Sequence, residues 1–368
     1  EKPEDAMIPS WVKPFHLQPQ GVRYIQWTPD ASCIAGKERF TIMEYVRFGR
    51  TGLEISEICL GTMTFGNESD EAMSRALMDD AFERGINFFD CAHNYNKGLT
   101  EEIVGRWLGP HRDEIILTTK IFFPFGGGRN DRGLSRRNIL MSMDRSLKRL
   151  QTDRVEILYL HHWDEHADLE ESLRAVDTLV EQGKALYLGI SNFAAWQVEK
   201  ALGLSALRNL AAPVCIQPMY SLVKRQAEVE LLPMSAQERL AVFPYNVMGA
   251  GLLTGKYLRG ETGRLTETEM YRQRYSDPSY PAIAERFVAY AREHGYSPAA
   301  LAAAWVMAHP AVTAPIIGAR NLEQFHDTLA CTEIRLSRAQ REEISALSYT
   351  PPDATDREPM AAMNTRGW

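Results

Sequence analysis

The chain has 368 residues, 45% of them hydrophobic and 24% charged, with a formal net charge of −7. These are the proportions of an ordinary soluble globular protein, long enough for one large α/β domain or two average ones. The acidic balance and the lack of a dense Lys/Arg run exclude a typical nucleic-acid binder, and no run of about 18 apolar residues offers a membrane span.

Residues 1–42 hold five prolines and no sustained helical or strand periodicity. They also lack the basic start, apolar core and small-residue cleavage site of a signal peptide. The expectation is an irregular N-terminal extension or an artificial leader. The five cysteines, Cys33, Cys59, Cys91, Cys215 and Cys331, form no CxxC pair. That spacing suits reduced thiols in a cytoplasmic protein.

From Tyr45 the pattern is regular. YVRFGRTGLEIS reads as a β-hairpin, two short alternating segments around Gly49 to Gly52. Apolar strands then follow at 58–63, 87–90, 115–120, 155–161, 185–191, 214–219, 240–245 and 312–318. Helical patterns separate them, such as Ile139, Met143, Leu147 and Leu150. Ser69 and Ser135 are candidate N-caps, and Gly85 and Gly183 fall where helices should end.

Successive strand–helix units imply right-handed βαβ crossovers. Eight of them over about 270 residues predict a closed (β/α)₈ TIM barrel with the hairpin capping its bottom. A doubly wound open sheet is the alternative, but no G-x-G-x-x-G follows the first strand. A polar loop at 260–280 and two helical segments, 282–294 and 298–309, fill the gap before the last strand. The barrel is expected over 43–350, with an irregular tail over 351–368.

Barrel active sites lie at the C-terminal ends of the strands. The second strand ends on Asp90, with Tyr95 in the loop beyond it. The third ends on Lys120 and the fourth on His161 and His162. Asp90 and Lys120 on neighbouring strands can neutralise each other, which makes their burial tolerable. A lysine beside a phenol favours the phenolate and is expected to lower the tyrosine pKa from about 10. Such a group suits acid/base work on an oxygen. Cys91 reads as a packing residue rather than a nucleophile.

These motifs resemble the aldo-keto reductases. FGRTGLEIS with LGTM, FFDCAHNY, TTK, GLSRRNI, SLKRLQTD, LYLHHWD, GISNF, GLLTGKY and PIIGARNLEQ follow in order from Tyr45 to about Ser348. GLSR and the His-x-Trp-Asp run are similar to the potassium-channel β-subunit-like branch. The resemblance implies a catalytic set of Asp90, Tyr95, Lys120 and His161, in which Tyr95 protonates a carbonyl oxygen while NADPH delivers hydride. It implies cofactor contacts from Thr62 and Met63, from Ser191, Asn192 and Gln217 around the nicotinamide carboxamide, and from Tyr245 stacked on the ring. Gly251, Leu252, Thr254 and Lys256 would follow the pyrophosphate. Gly318, Arg320, Gln324 and Asp327 would hold the adenosine end. An arginine there suits a 2′-phosphate, favouring NADP over NAD. Phe122, Phe123 and Trp163 would wall the substrate pocket, and a small-molecule carbonyl is the expected partner. Asn246, Val247 and Met248 depart from the family's usual Ser-Pro-Leu, and Asp327-Thr328 from its Glu-Asn.

Other readings are weaker. The glycines at 126–128 lack the GK[ST] ending of a phosphate loop. His161, His162, Asp164 and His166 suggest a metal, yet the first strand has no histidine, so no metal is expected. A Schiff-base lysine at 120 would leave Tyr95 and Arg320 unexplained. A regulatory subunit that senses the nicotinamide cofactor with little turnover is the main alternative to an enzyme. The sequence carries no signal of oligomeric state.

Overall fold

The short strands β1 (Tyr45–Arg47) and β2 (Glu54–Ser56) pair antiparallel, with Tyr45 opposite Ser56. Between them Phe48 is fully buried, its ring 5.2 Å from Phe243 and 6.0 Å from Tyr187. Arg50 donates to the Pro213 carbonyl. The hairpin thus plugs the end of the molecule where the later strands begin. The computed structural model describes residues 43–355; the extension expected over 1–42, and the tail beyond 355, lie outside the described residues.

Eight parallel strands form the next sheet: β3 (Cys59–Gly61), β4 (Phe88–Asp90), β5 (Ile116–Ile121), β6 (Val155–Leu160), β7 (Ala185–Ser191), β8 (Pro213–Gln217), β9 (Ala241–Val242) and β10 (Ile316–Ile317). From β3 to β9 each pairs with the next in the chain, and β10 pairs with β3. Backbone bonds from Thr313 N to Val242 O (2.9 Å) and from Ile316 N to Pro244 O (2.8 Å) close the ring between β9 and β10. The result is the (β/α)₈ barrel with its hairpin.

The last two barrel strands are shorter than expected from 240–245 and 312–318. Pro244 and Pro315 sit inside those segments, and proline has no N–H to give the ladder. The N-cap expected at Ser69 is instead Asp70, whose carboxylate accepts from Met73 N at 2.8 Å and starts the helix Glu71–Glu83. Ser135 does cap Arg136–Leu150, which buries Ile139, Met143, Leu147 and Leu150. Gly85 and Gly183, at φ +86 and +70, follow their helix ends. The segment 260–280 is more than a polar loop. It folds as the short helices Arg264–Glu267 and Glu269–Arg274 and buries Tyr271, Tyr275 and Tyr280.

Two apolar layers follow from strand alternation. One lies between strands and helices. The other fills the barrel, where Lys120, Tyr159, Gly189, Cys215 and Ala241 stand side by side on β5 to β9. A Cβ on Gly189 would meet the Tyr159 ring at 2.4 Å, so the glycine makes room for that ring. The inward parity of Lys120 on β5 continues two residues further along each later strand. It places His161, Ser191 and Gln217 around the upper mouth. Among the described residues, no helix is long and apolar enough to cross a membrane.

Candidate active site at the upper mouth of the barrel

Asp90 is the hub of the site. Its Oδ2 accepts from Lys120 Nζ at 2.5 Å, and its Oδ1 accepts from Thr118 Oγ1 and Gln217 Nε2, both at 2.9 Å. Lys120 is fully buried and also donates to the Cys91 carbonyl (2.8 Å) and to Tyr95 Oη (3.2 Å). A buried charge needs this density of partners. Burial alone would push the ammonium pKa down, but the Asp90 carboxylate and the phenol outweigh it and hold the pKa above the ordinary lysine value. Lys120 is therefore a cation at neutral pH.

Tyr95 differs from the sequence expectation in its net direction. Burial pushes the phenol pKa up by more than the Lys120 charge brings it down, with Asp90 adding to the rise. The phenol is thus protonated at neutral pH, with an ammonium alongside ready to stabilise the anion left after proton loss. Asn96 and Lys97, at φ +46 and +55, kink the chain straight after it.

His161 is buried, its ring 6.2 Å from Tyr95 and 4.9 Å from Phe123. Burial, then the Lys120 charge and the imidazoles of His93 and His162, hold its pKa well below the ordinary value. It is a neutral imidazole, and its Nδ1 has no hydrogen-bond partner. His162 faces solvent, bonds the Trp163 carbonyl through Nδ1 and stacks on Phe122. Asp164 accepts from Leu134 N and His166 N. Cys91 is buried, and burial raises its thiol to about 12.

Around this centre lie the other expected residues. Thr62 Oγ1 donates to the Asp90 carbonyl at 2.8 Å, and Met63 is exposed at the mouth. Asn192, at φ +56, donates to the His161 carbonyl and to Ser191 Oγ, while Tyr245 Oη donates to Asn192 Oδ1 at 2.6 Å. Ser191 Oγ donates to the Gln217 carbonyl. Leu252 and Thr254 lie in the 3₁₀ turn Gly249–Thr254, where Gly251 has φ +91. A Cβ on Gly251 would meet Lys256 Cε at 2.7 Å. Gly318 packs on Gly61, and Gln324 Oε1 accepts from Arg320 N. Asp327 is exposed on the helix Leu322–Leu329. Phe122, Phe123 and Trp163 are half-buried, and Trp163 meets Phe193 at 5.3 Å and Trp196 at 5.6 Å.

The chemistry of this donor set fits a nicotinamide dinucleotide. Lys256, Arg264 and Arg320 gather at one end of the site; burial and then the two arginines push the Lys256 pKa down, with Glu267 and Glu68 acting the other way. At the other end stand the amides of Asn192 and Gln217.

Four contributors were missed in the sequence: Thr118, Glu68, Arg264 and Trp196. Thr118 had a signal, since it stands two residues before Lys120 and so shares its inward face. Glu68 and Arg264 had none. They meet across 196 residues, with Glu68 Oε2 3.0 Å from Arg264 Nη2.

A buried carboxylate–lysine–phenol relay with a neutral histidine, at the C-terminal mouth of a (β/α)₈ barrel, is an arrangement that can carry acid/base chemistry on a polar oxygen. Residues 57–348 match the model of the aldo/keto reductase family, and the chain belongs to that family of oxidoreductases. It is 40% identical over 307 residues to the uncharacterized oxidoreductase YrpG of Bacillus subtilis, covering 80% of this chain and 93% of the relative. A probable voltage-gated potassium channel subunit beta of Oryza sativa is 32% identical over 333 residues, covering 85% of this chain and 99% of its own. Norsolorinic acid reductase A of Aspergillus parasiticus is 32% identical over 308 residues, 80% of this chain and 78% of its own.

Proposed function

We propose that the protein reduces an aldehyde or ketone to the alcohol with NADPH, in the cytoplasm, using the barrel over residues 43–350 as the catalytic unit. The bound cofactor supplies the hydride. The chain's own residues manage the proton and the substrate. Tyr95 gives its phenolic proton to the carbonyl oxygen as that oxygen gains negative charge. Lys120 stabilises the phenolate that remains, and Asp90 keeps Lys120 charged. The neutral His161 holds the same oxygen through a ring N–H and fixes its orientation. Ser191, Asn192, Gln217 and Tyr245 would hold the nicotinamide, and Lys256 and Arg320 the phosphates. Phe122, Phe123 and Trp163 favour a substrate with an aromatic, apolar or sugar-like body. The observation that carries this reading is Lys120 Nζ bonded to both Asp90 Oδ2 and Tyr95 Oη.

The test is NADPH oxidation against a panel of aldehydes, with Tyr95→Phe alongside. Loss of one proton donor should lower kcat/KM by about 10² to 10⁴ while NADPH binding persists. Undiminished turnover in Tyr95→Phe sinks the mechanism. The relatives named as potassium channel subunits favour a second reading, a cofactor-sensing subunit with little turnover. NADPH binding without reduction of any carbonyl would favour that one.

A further inference from the structure

Glu68 lies in the loop after β3, and its carboxylate joins two parts of the chain far apart in sequence. Oε2 meets Arg264 Nη2 at 3.0 Å, in the lobe after β9, and Oε1 meets Arg320 Nη2 at 2.7 Å, just after β10. All three side chains are only partly exposed. Burial opposes a charge on Glu68, yet the two arginines together hold its carboxyl below the usual range, so it is an anion at neutral pH. Lys256 adds a third cation. Glu267, 4.0 Å from Arg320 and half exposed, is the weaker second anion. Beside the cluster opens a cavity of about 460 Å³ whose lining includes Glu68, Asp70, Met73 and Arg320. Of the two carboxylates in its lining, Asp70 is already committed as the N-cap of Glu71–Glu83, which leaves Glu68 as the one bonded to Arg320.

Resting on the cofactor reading above, we infer that Glu68 sets how strongly this site distinguishes a phosphorylated from an unphosphorylated adenosine ribose. Arg320 is the group a 2′-phosphate would take, and Glu68 already holds its Nη2. A phosphate dianion has to open that pair or sit beside a carboxylate, and both weaken it. A ribose hydroxyl meets no such penalty, because it is neutral and can donate to a carboxylate. The chain therefore carries an arginine that attracts the 2′-phosphate and a glutamate that tempers the attraction. The same carboxylate ties the 260–280 lobe to the adenosine end of the groove.

The test is calorimetric binding of NADPH and of NADH to the full chain at low salt, in wild type, Glu68→Gln and Glu68→Asp. Glu68→Gln should raise the ratio Kd(NADH)/Kd(NADPH) by about tenfold or more, since one charge-assisted contact is worth about a decade of affinity. Glu68→Asp, which withdraws the charge without removing it, should fall between. A ratio unchanged within twofold overturns the inference and leaves the cofactor reading intact. A ratio that falls also overturns it, because Glu68 would then be supporting Arg320 for the phosphate rather than competing. If neither dinucleotide binds the wild type, the cofactor reading fails and this inference with it.

Discussion

The strongest structural commitment of the site is the Asp90–Lys120 pair, and a double-mutant cycle tests it directly. Asp90→Asn leaves an ammonium in a fully buried position with no anionic partner, only the Cys91 carbonyl, the Tyr95 oxygen and a neutral amide as neighbours. Lys120→Met leaves a carboxylate with Thr118 and Gln217 as donors. Breaking a buried pair from one side costs about 3–5 kcal/mol. The retained hydrogen bonds soften both cases, most of all Lys120→Met, where two donors still reach the anion. We expect about 3–4 kcal/mol for Asp90→Asn and about 2–3 kcal/mol for Lys120→Met. The double variant removes both charges at nearly constant volume and keeps the Thr118 and Gln217 contacts on the amide. It should be no less stable than the worse single variant, giving a coupling energy of about 2 kcal/mol or more. Urea unfolding at pH 7 measures all four corners of the cycle. Additive losses, with the double variant at the sum of the singles, would refute the picture of two buried charges that depend on each other.

Two further outcomes follow from packing and from titration. Gly105, on the helix Leu99–Leu108, lies so close to the helix Arg136–Leu150 that a Cβ would come within 2.2 Å of the Arg149 carbonyl oxygen. Helix propensity favours alanine there by about 1 kcal/mol, but backbone cannot yield as a side chain can. Gly105→Ala should therefore lose about 3 kcal/mol of unfolding free energy in urea, and a neutral or stabilised variant would mean the two helices stand further apart. His93 is buried, and burial, followed by the Arg149 charge, draws its pKa down to about 4. A depressed histidine pKa adds stability above the ordinary value near 6.5 that is lost as pH falls towards 4, because the unfolded chain then binds the extra proton. The loss is about 3 kcal/mol for His93, and His161 adds to it with the same sign. Unfolding free energies from pH 7 to 4.5 should fall, and His93→Phe should flatten that acid limb; an unchanged limb would contradict the assignment.

Much of the fold was readable because the signals were local. Most barrel strands are short apolar runs, and the helices between carry stripes such as Ile139, Met143, Leu147 and Leu150. Strand ends were less readable where prolines intervene, and the Ser69/Asp70 choice of cap turned on one residue. The 260–280 segment looked polar since its charges outnumber its aromatics. Its tyrosines are nonetheless buried, and Arg264 and Arg274 lie over the Tyr271 ring at 5.6 and 5.5 Å. A cation over an aromatic face reads as two polar letters in sequence and as one packed unit in space.

The same limit separates the two ends of the candidate site. The Asp90, Lys120 and His161 positions could be aligned from strand parity alone, because each stands at the end of its own strand and the barrel brings strand ends together. The cation cluster has no such rule, since Glu68 and Arg320 come from loops and Arg264 from the short helix Arg264–Glu267, whose approach only the folded chain defines. Charge direction was harder still. A lysine next to Tyr95 suggested a lowered phenol pKa, and the folded site reverses this, because burial acts on Tyr95 more strongly than the lysine does. Part of the lysine's field is spent on Asp90 at 2.5 Å, nearer than the phenol at 3.2 Å. The consequence is chemical. A phenol that stays protonated at neutral pH can give a proton, as the proposed reduction requires, and the ammonium beside it would matter most after the proton has left. Asp90 therefore sets the balance: it must be close enough to keep Lys120 charged, yet its own charge raises the phenol pKa, so the distances from Lys120 to Asp90 and to Tyr95 together tune how readily the phenol gives up its proton.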